Sequence, residues 1–235
     1  MRIWDINPGY LNRQSLLGEH RELHGLVSIM INGKKGYSKH PETVRWLKYG
    51  WAINTRHQLL AAEMELRGYK DKSPVGTRSN KFKWPEIFID TPYEQFKILK
   101  KKYVDKEPGR IPFPKSVQEL WAQHKYSVMA RDYNLYKKIG TEINGSGKCT
   151  VLKELSQELT KILRIVPEDK GLRNTLQHMW GYVSKFSDLT GKELNNTSQA
   201  NFLSIIQKLA KENDEKYLLN STALSELMVW IRLAG

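Results

Sequence analysis

The chain has 235 residues, 40% of them hydrophobic and seven of them Trp; at roughly 100–200 residues per domain this gives one large domain or two small ones. No stretch approaches the ~20 consecutive apolar residues of a membrane span, and the single cysteine, Cys149, rules out an internal disulfide and a Cys-rich zinc site. Net charge is +13, of which residues 1–110 carry +9 and residues 111–235 carry +4, a balance that favours polyanionic partners, nucleic acid first.

The opening "MRIWDINPGYLNRQSLLGEHREL" has no apolar run behind a basic start, so a signal peptide is not expected and a cytoplasmic protein is. The N-x-[ST] matches at Asn195 and Asn220 then carry no meaning. Ile3, Trp4, Ile6, Tyr10 and Leu11 read as core from the third residue on, so the N-terminus should be held against the folded body. From Asn12 to Met30, Leu16, Leu23, Val27 and Met30 recur at spacings of seven, four and three, which predicts a helix between Pro8-Gly9 and Asn32-Gly33. A second helix is predicted from about Asn54 to Arg67, stopped by Gly68. A third begins at Thr91, where Thr91, Pro92 and Glu94 make a capping box with proline in the first turn. Between them "DKSPVGTRSNKFKWPE" reads as an irregular basic loop.

"KEPGRIPFPKS", with three prolines and a glycine, marks a boundary near residues 107–115. Ser116 and Glu119 form a further capping box opening one helix through "ELWAQHKYSVMARDYNLYKKI", and the remainder alternates helical segments with polar loops. With no convincing strand alternation, the expected fold is all-α: two small helical domains, 1–110 and 111–235, joined by a Pro-rich linker. "NGSGKCT" near residue 150 lacks the spacing and preceding strand of a phosphate loop.

"GEHRELHGL" in the first helix admits three readings. His20 and His24 stand at i and i+4, a spacing that serves metal ligands, but Glu22 lies about 160° from each at ~100° per residue and no third ligand is apparent. Arg21 and Glu22 could instead be a solvated charged pair. The third reading links Glu22 to the terminus. An α-amino group, with a reference pKa of ~7.7–8.0 against ~10.4 for lysine, is partly neutral near pH 7 and can attack a carbon electrophile. A fixed terminal amine beside a carboxylate suits Schiff-base chemistry.

Residues 1–75 resemble the pyrimidine-dimer DNA glycosylase family typified by the phage endonuclease V. The resemblance rests on the opening Arg2 and Ile3, "HREL" (His20 to Leu23), "NGK" (Asn32 to Lys34) and "RHQLLAAEMELRGY" (Arg56 to Tyr69). It implies a glycosylase with attached AP-lyase activity on damaged pyrimidines in double-stranded DNA, with the Met1 α-amine as nucleophile and Glu22 as the catalytic glutamate. Arg21 matches an arginine that contacts DNA near the lesion, and Arg2, Lys34, Lys35 and Arg56 are further DNA-binding candidates. No metal, organic cofactor, membrane or obligate protein partner is implied, and the protein would associate with the nucleoid when bound. The chain departs from the family at Gly25, an arginine in the family enzyme, and at Ser15, a histidine there; the family's aromatic-rich C-terminal tail has no counterpart. Gly18, Arg21 and Gly25 share one helix face, where small residues would admit a DNA backbone or allow tight helix packing.

In residues 111–235, "LWAQHKYSVMARDYNLYKKIG" and "NTLQHMWGYVSKF" resemble the helical YbgA-type domain, whose function is not established. His124, Lys125, Tyr126, Arg131, His178 and Trp180 are its distinctive residues; they could line a nucleic-acid or nucleotide site, or Trp121, Tyr126 and Trp180 could be core with His124 and His178 hydrogen-bonded inside it. A non-catalytic nucleic-acid-binding module, or an accessory protein in nucleobase or RNA metabolism, is the alternative reading of the whole chain.

Overall fold

The computed structural model describes residues 1–145 and 151–234, and all regular structure among them is helical. The chain divides into two compact units, Met1–Gly109 and Arg110–Gly235.

In the first unit an extended segment, residues 1–7, leads through a 3-10 turn (Pro8–Tyr10) into α1 (Arg13–Asn32), α2 (Pro41–Trp46), α3 (Gly50–Leu66) and α4 (Pro92–Lys102). The Asn12 side chain caps α1 by accepting from the Ser15 N–H at 2.9 Å, and Gly33 ends it in the left-handed region (φ 62°) that glycine adopts without steric cost. The helix continues two residues past the predicted Met30 because nothing interrupts it before that glycine. α4 has the predicted capping box at Thr91 and Glu94. Two features differ from expectation. α3 starts at Gly50, four residues before the predicted Asn54, because Trp51, Ala52 and Ile53 are buried and a distant loop caps the helix: Trp51 N–H donates to the Ser79 carbonyl at 2.9 Å and Gly50 N–H to Ser79 Oγ at 3.1 Å. α2 has no counterpart among the predicted helices; His40 caps it and Pro41 opens it. Residues 69–91 contain no helix or strand, as expected of the basic loop.

The core of this unit is built from Ile3, Trp4, Ile6, Tyr10, Leu11, Leu16, Leu23, Leu26, Ile53, Leu60 and Leu99, all buried; burial stabilises each large apolar side chain by roughly 1.5–3 kcal/mol. Residues 1–7 have no ladder or helix to absorb their backbone polar groups, so side chains from four helices do so. Glu19 of α1 accepts from Trp4 N–H at 3.1 Å. Arg56 of α3 donates to the Ile6 carbonyl at 2.8 Å and to both Glu19 oxygens at 2.7 and 2.8 Å. Arg45 of α2 donates to the Ile3 carbonyl at 3.2 Å and pairs with Asp5. Gln95 of α4 accepts from Asp5 N–H at 2.8 Å. Glu19 and Arg56 are both buried; burial pushes the Glu19 carboxyl up, and the Arg56 guanidinium and the Trp4 amide oppose it.

The second unit packs α5 (Val117–Met129), α6 (Tyr133–Asn144), α7 (Leu152–Ile162), α8 (Asp169–Val183), α9 (Gly191–Asn195), α10 (Gln199–Glu212), α11 (Lys216–Leu219) and α12 (Ala223–Ala234). α5 lies against α6, α7, α8 and α12. The helix predicted as one piece after Ser116 is two. Asp132 caps α6 at Leu135 N–H (2.9 Å), and the Arg131 side chain turns inward to Glu226 at 3.0 Å and to the Leu163 and Ile165 carbonyls, each at 2.7 Å. Trp121, Tyr126 and His124 are core. His178 is exposed and Trp180 half-buried, which corrects the expectation that both lie inside: the α8 face toward the core is Leu172, Leu176 and Met179. His124 is 5% exposed, its Nδ1 hydrogen-bonded to the Leu120 carbonyl at 2.8 Å, and burial pushes its pKa down to about 4.

Two expectations follow from these interiors. Arg56→Met leaves the Glu19 carboxylate buried without its partner and should cost about 3–5 kcal/mol in urea unfolding, whereas Glu19→Leu/Arg56→Met should recover part of that loss because no unpaired charge remains. For His124, the unfolded chain takes up a proton near pH 6.5 that the folded chain refuses until about pH 4. Stability of the second unit therefore falls as pH falls through that window, by about 3 kcal/mol in all. His124→Asn, which keeps a donor for the Leu120 carbonyl, should lose that much less between pH 7 and pH 4 in parallel denaturant titrations.

Candidate functional site

α1 places Glu19 and Glu22, three residues apart, toward the N-terminal segment. The Glu22 carboxylate accepts the Arg2 backbone N–H through Oε2. Glu22 and Met1 are both half-buried, and the Met1 sulfur accepts from Thr43 Oγ1 at 3.3 Å. The terminal nitrogen is thus one residue, at most about 3.6 Å of chain, from the amide that Glu22 holds. The clamps on residues 3–6 described above hold the first peptide against the Glu22 carboxylate, so the N-terminal segment is held against the folded body as expected.

The basic candidates divide. Arg21, Lys34 and Lys35 are exposed, and none of them forms an ion pair among the described residues. Arg2 is largely occupied: its side chain pairs with Asp90 and Glu42 and its guanidinium lies over the Trp4 ring, 4.5 Å from the centroid. Arg56, read from sequence as a DNA contact, is 3% exposed with its guanidinium engaged by Glu19 and Ile6. It is a structural clamp and is closed to a phosphate. At Gly18 and Gly25 an added Cβ would meet no atom within 4 Å. Tight helix packing therefore does not explain these glycines, and the face they share with Arg21 is open.

A second constellation is not legible in the sequence. The His57 ring on α3 and the Asp71 carboxylate in the loop after it converge on His20 and His24. His20 Nε2 lies 3.2 Å from Asp71 Oδ1, His57 Nε2 lies 3.2 Å from His24 Nε2, and His57 Nε2 lies 3.5 Å from Asp71 Oδ2. One ligand-type atom from each of the four residues falls within 4.8 Å of all the others. His57 and Asp71 lie 33 and 47 residues from His24, so no local spacing ties them to His20 and His24; "RHQLL" is the one nearby sequence feature that carries a member of the set. Burial pushes His57 down to about 4 and lowers His24 as well. Burial works against the Asp71 carboxylate, but the Ser73 amide, His57 and His20 together hold it below the usual carboxylate range.

The phosphate-loop-like stretch lies, from residue 146 on and with Cys149, outside the described residues. Among those described, no helix is long and apolar enough to cross a membrane. No curated protein and no solved structure matches the chain. Family models do: residues 125–227 match a family described as a protein of unknown function (DUF1722). Residues 1–77, the part that carries the clamped N-terminus, Glu22 and the histidine cluster, match the pyrimidine dimer DNA glycosylase family.

Proposed function

We propose that residues 1–110 form a DNA glycosylase with attached AP-lyase activity, acting on damaged pyrimidines in duplex DNA through the Met1 α-amine, and that residues 111–235 form a second domain not needed for the chemistry. The observation that carries this reading is the Glu22 carboxylate on the first peptide N–H of the chain. The neutral amine attacks C1′ of the damaged nucleotide as the glycosidic bond breaks and the base leaves with its bonding electrons. Opening of the sugar ring gives a Schiff base between the terminal nitrogen and C1′. Loss of a C2′ proton then expels the 3′ phosphate by β-elimination, and hydrolysis of the imine returns the amine. Glu22 stabilises the cationic sugar and moves protons. Exposed Arg21, Lys34 and Lys35 neutralise phosphates, and the glycine-lined face of α1 gives the backbone room to approach. A damaged base unstacks at lower cost, which favours its extrusion.

A non-catalytic nucleic-acid-binding module is the second reading. It is favoured by the position of Ser15, which is buried beside its own helix cap and offers no titratable group where the family has histidine. Borohydride trapping on duplex DNA with an abasic site separates the two. The proposed enzyme forms a covalent adduct whose peptide map places the sugar on Met1, and one added N-terminal glycine abolishes it, since a displacement of ~1 Å can cost 10²-fold in a positioned reaction. An adduct on a lysine, or no adduct at all, overturns the amine mechanism.

Glu22→Gln keeps the side chain's shape and removes its charge and titratable proton. Strand cleavage and base release should fall by about 10²–10⁴, with DNA affinity in a gel-shift assay changed by less than about threefold, since the substitution leaves every phosphate-neutralising cation in place. Near-normal turnover in single-turnover kinetics would return Glu22 to a solvated or purely structural carboxylate.

A further inference from the structure

The four convergent side chains on α1, α3 and the loop at residue 71 have no part in the chemistry above. α1 supplies His20 and His24 one turn apart on one face, and α3 supplies His57. The Gly68 turn (φ 86°) brings the chain back so that Asp71 closes the set. Ring centroids of the three histidines are 4.7, 4.9 and 4.9 Å apart. His20 Nε2 and His57 Nε2 face the carboxylate at 3.2 and 3.5 Å, and His57 Nε2 faces His24 Nε2 at 3.2 Å.

Hydrogen bonds can satisfy two of the three contacts, His20 Nε2–H to Asp71 and His24 Nε2–H to His57, which leaves the His57 lone pair facing an Asp71 oxygen at 3.5 Å with no proton between them. His57 Nε2 faces both His24 Nε2 and an Asp71 oxygen and has at most one proton to donate. Three imidazoles that turn the same nitrogen toward one point bring lone pairs together, and a cation relieves that. With metal–ligand bonds of about 2.0–2.2 Å, the edges of a tetrahedral N/O shell are about 3.3–3.6 Å long. Three of the observed separations, 3.2, 3.2 and 3.5 Å, fall close to this range, and all four ligand atoms lie within 4.8 Å of one another, so a small inward rotation of the rings closes the shell. Asp71 is oriented from outside by the Ser73 N–H at 3.0 Å, the kind of supporting bond that holds a metal-ligating carboxylate. His57 is 3% exposed, while His20 and Asp71 retain a little exposure, at 16% and 17% of their side chains, which leaves an entry path.

We propose that His20, His24, His57 and Asp71 form a four-coordinate site for a divalent transition metal, zinc in the first instance. Three imidazoles and one carboxylate suit Zn²⁺. Calcium and magnesium prefer all-oxygen shells, and copper(I) prefers sulfur. The metal ties α1 to α3 and to the loop that follows it. Glu22 lies about 160° around α1 from both histidine ligands, so the ion does not reach the carboxylate. It holds the helix that carries it. The site stands on these four residues alone, whatever the DNA chemistry proves to be.

The test uses the full chain, stripped with a chelator, incubated with Zn²⁺ and passed through a desalting column. Elemental analysis should find about one zinc per chain, as a closed structural site requires, and Co²⁺ in its place should give the visible absorption of a tetrahedral complex. Zinc should raise the melting transition of the stripped protein by about 10 °C at 100-fold excess over the dissociation constant. His24→Ala, and Asp71→Ala in the surface loop, should each retain less than about a tenth of the metal with unchanged helical circular dichroism, and zinc should not shift their melting. If His24→Ala does not fold, Asp71→Ala decides. The proposal is overturned if the folded wild-type chain keeps no stoichiometric Zn²⁺, Co²⁺, Fe²⁺ or Mn²⁺, or if the variants bind as well as the wild type.

Discussion

The buried pair between Glu19 and Arg56 is the joint on which the first unit depends. An isolated charge in such an interior is untenable, and a pair is tolerated only when its remaining hydrogen-bonding capacity is also met. Here the surplus capacity is met by backbone: Glu19 takes the Trp4 amide and Arg56 the Ile6 carbonyl. The pair therefore does two things at once. It locks α1 to α3, and it fixes an extended segment that has no strand partner and no helix of its own. Trp4 and Ile6 can be buried because their backbone groups are satisfied by side chains. Everything at the terminus follows from that, including the approach of Glu22 to the first peptide of the chain.

α1 distributes four tasks around its circumference. Leu16, Glu19, Leu23, Leu26 and Val27 form the buried face. Glu22 sits at one edge of it, toward the terminus, and His20 and His24 at the other, toward α3 and Asp71. Gly18, Arg21 and Gly25 share the remaining face, where Arg21 and Gly25 are exposed. At about 100° per residue the short stretch from Gly18 to Val27 covers every direction. This is why one helix can be anchored by a core, adjoin a terminus and contribute to a histidine cluster while leaving a face open.

The second unit repeats the first unit's solution with different parts. Arg131 is buried against Glu226, and its other donors reach the carbonyls of Ser127, Leu163 and Ile165 where α5 and α7 end. Trp230 donates to the same glutamate at 3.1 Å. In both units an arginine–glutamate pair sits where chain without regular structure meets the core, and the guanidinium satisfies carbonyls that no helix can. The break between α5 and α6 belongs to this arrangement, since Arg131 must leave the helical path to reach Glu226.

Local rules were enough for much of this protein. The cap at Asn12, the stop at Gly33, the capping box at Thr91 and the apolar rows of α1 depend on residues within one or two turns of each other, and the sequence by itself determined those helices and the all-α class. The approach of Glu22 to the first peptide is one of three readings of "GEHRELHGL" and is singled out only by the family resemblance; local spacing does not fix it, because it depends on the long-range clamps on residues 3–6. What only the tertiary structure decided involves partners far apart in the chain. The early start of α3 rests on a cap from Ser79, some thirty residues on. The interior fate of Arg56 rests on Glu19, and the convergence of His57 and Asp71 on His20 and His24 rests on how α3 packs against α1. An arginine beside a histidine in "RHQLL" reads the same whether it faces solvent or core. Side-chain charge is a local property, but burial and the identity of the opposing charge are set by the packing of elements that the sequence does not align.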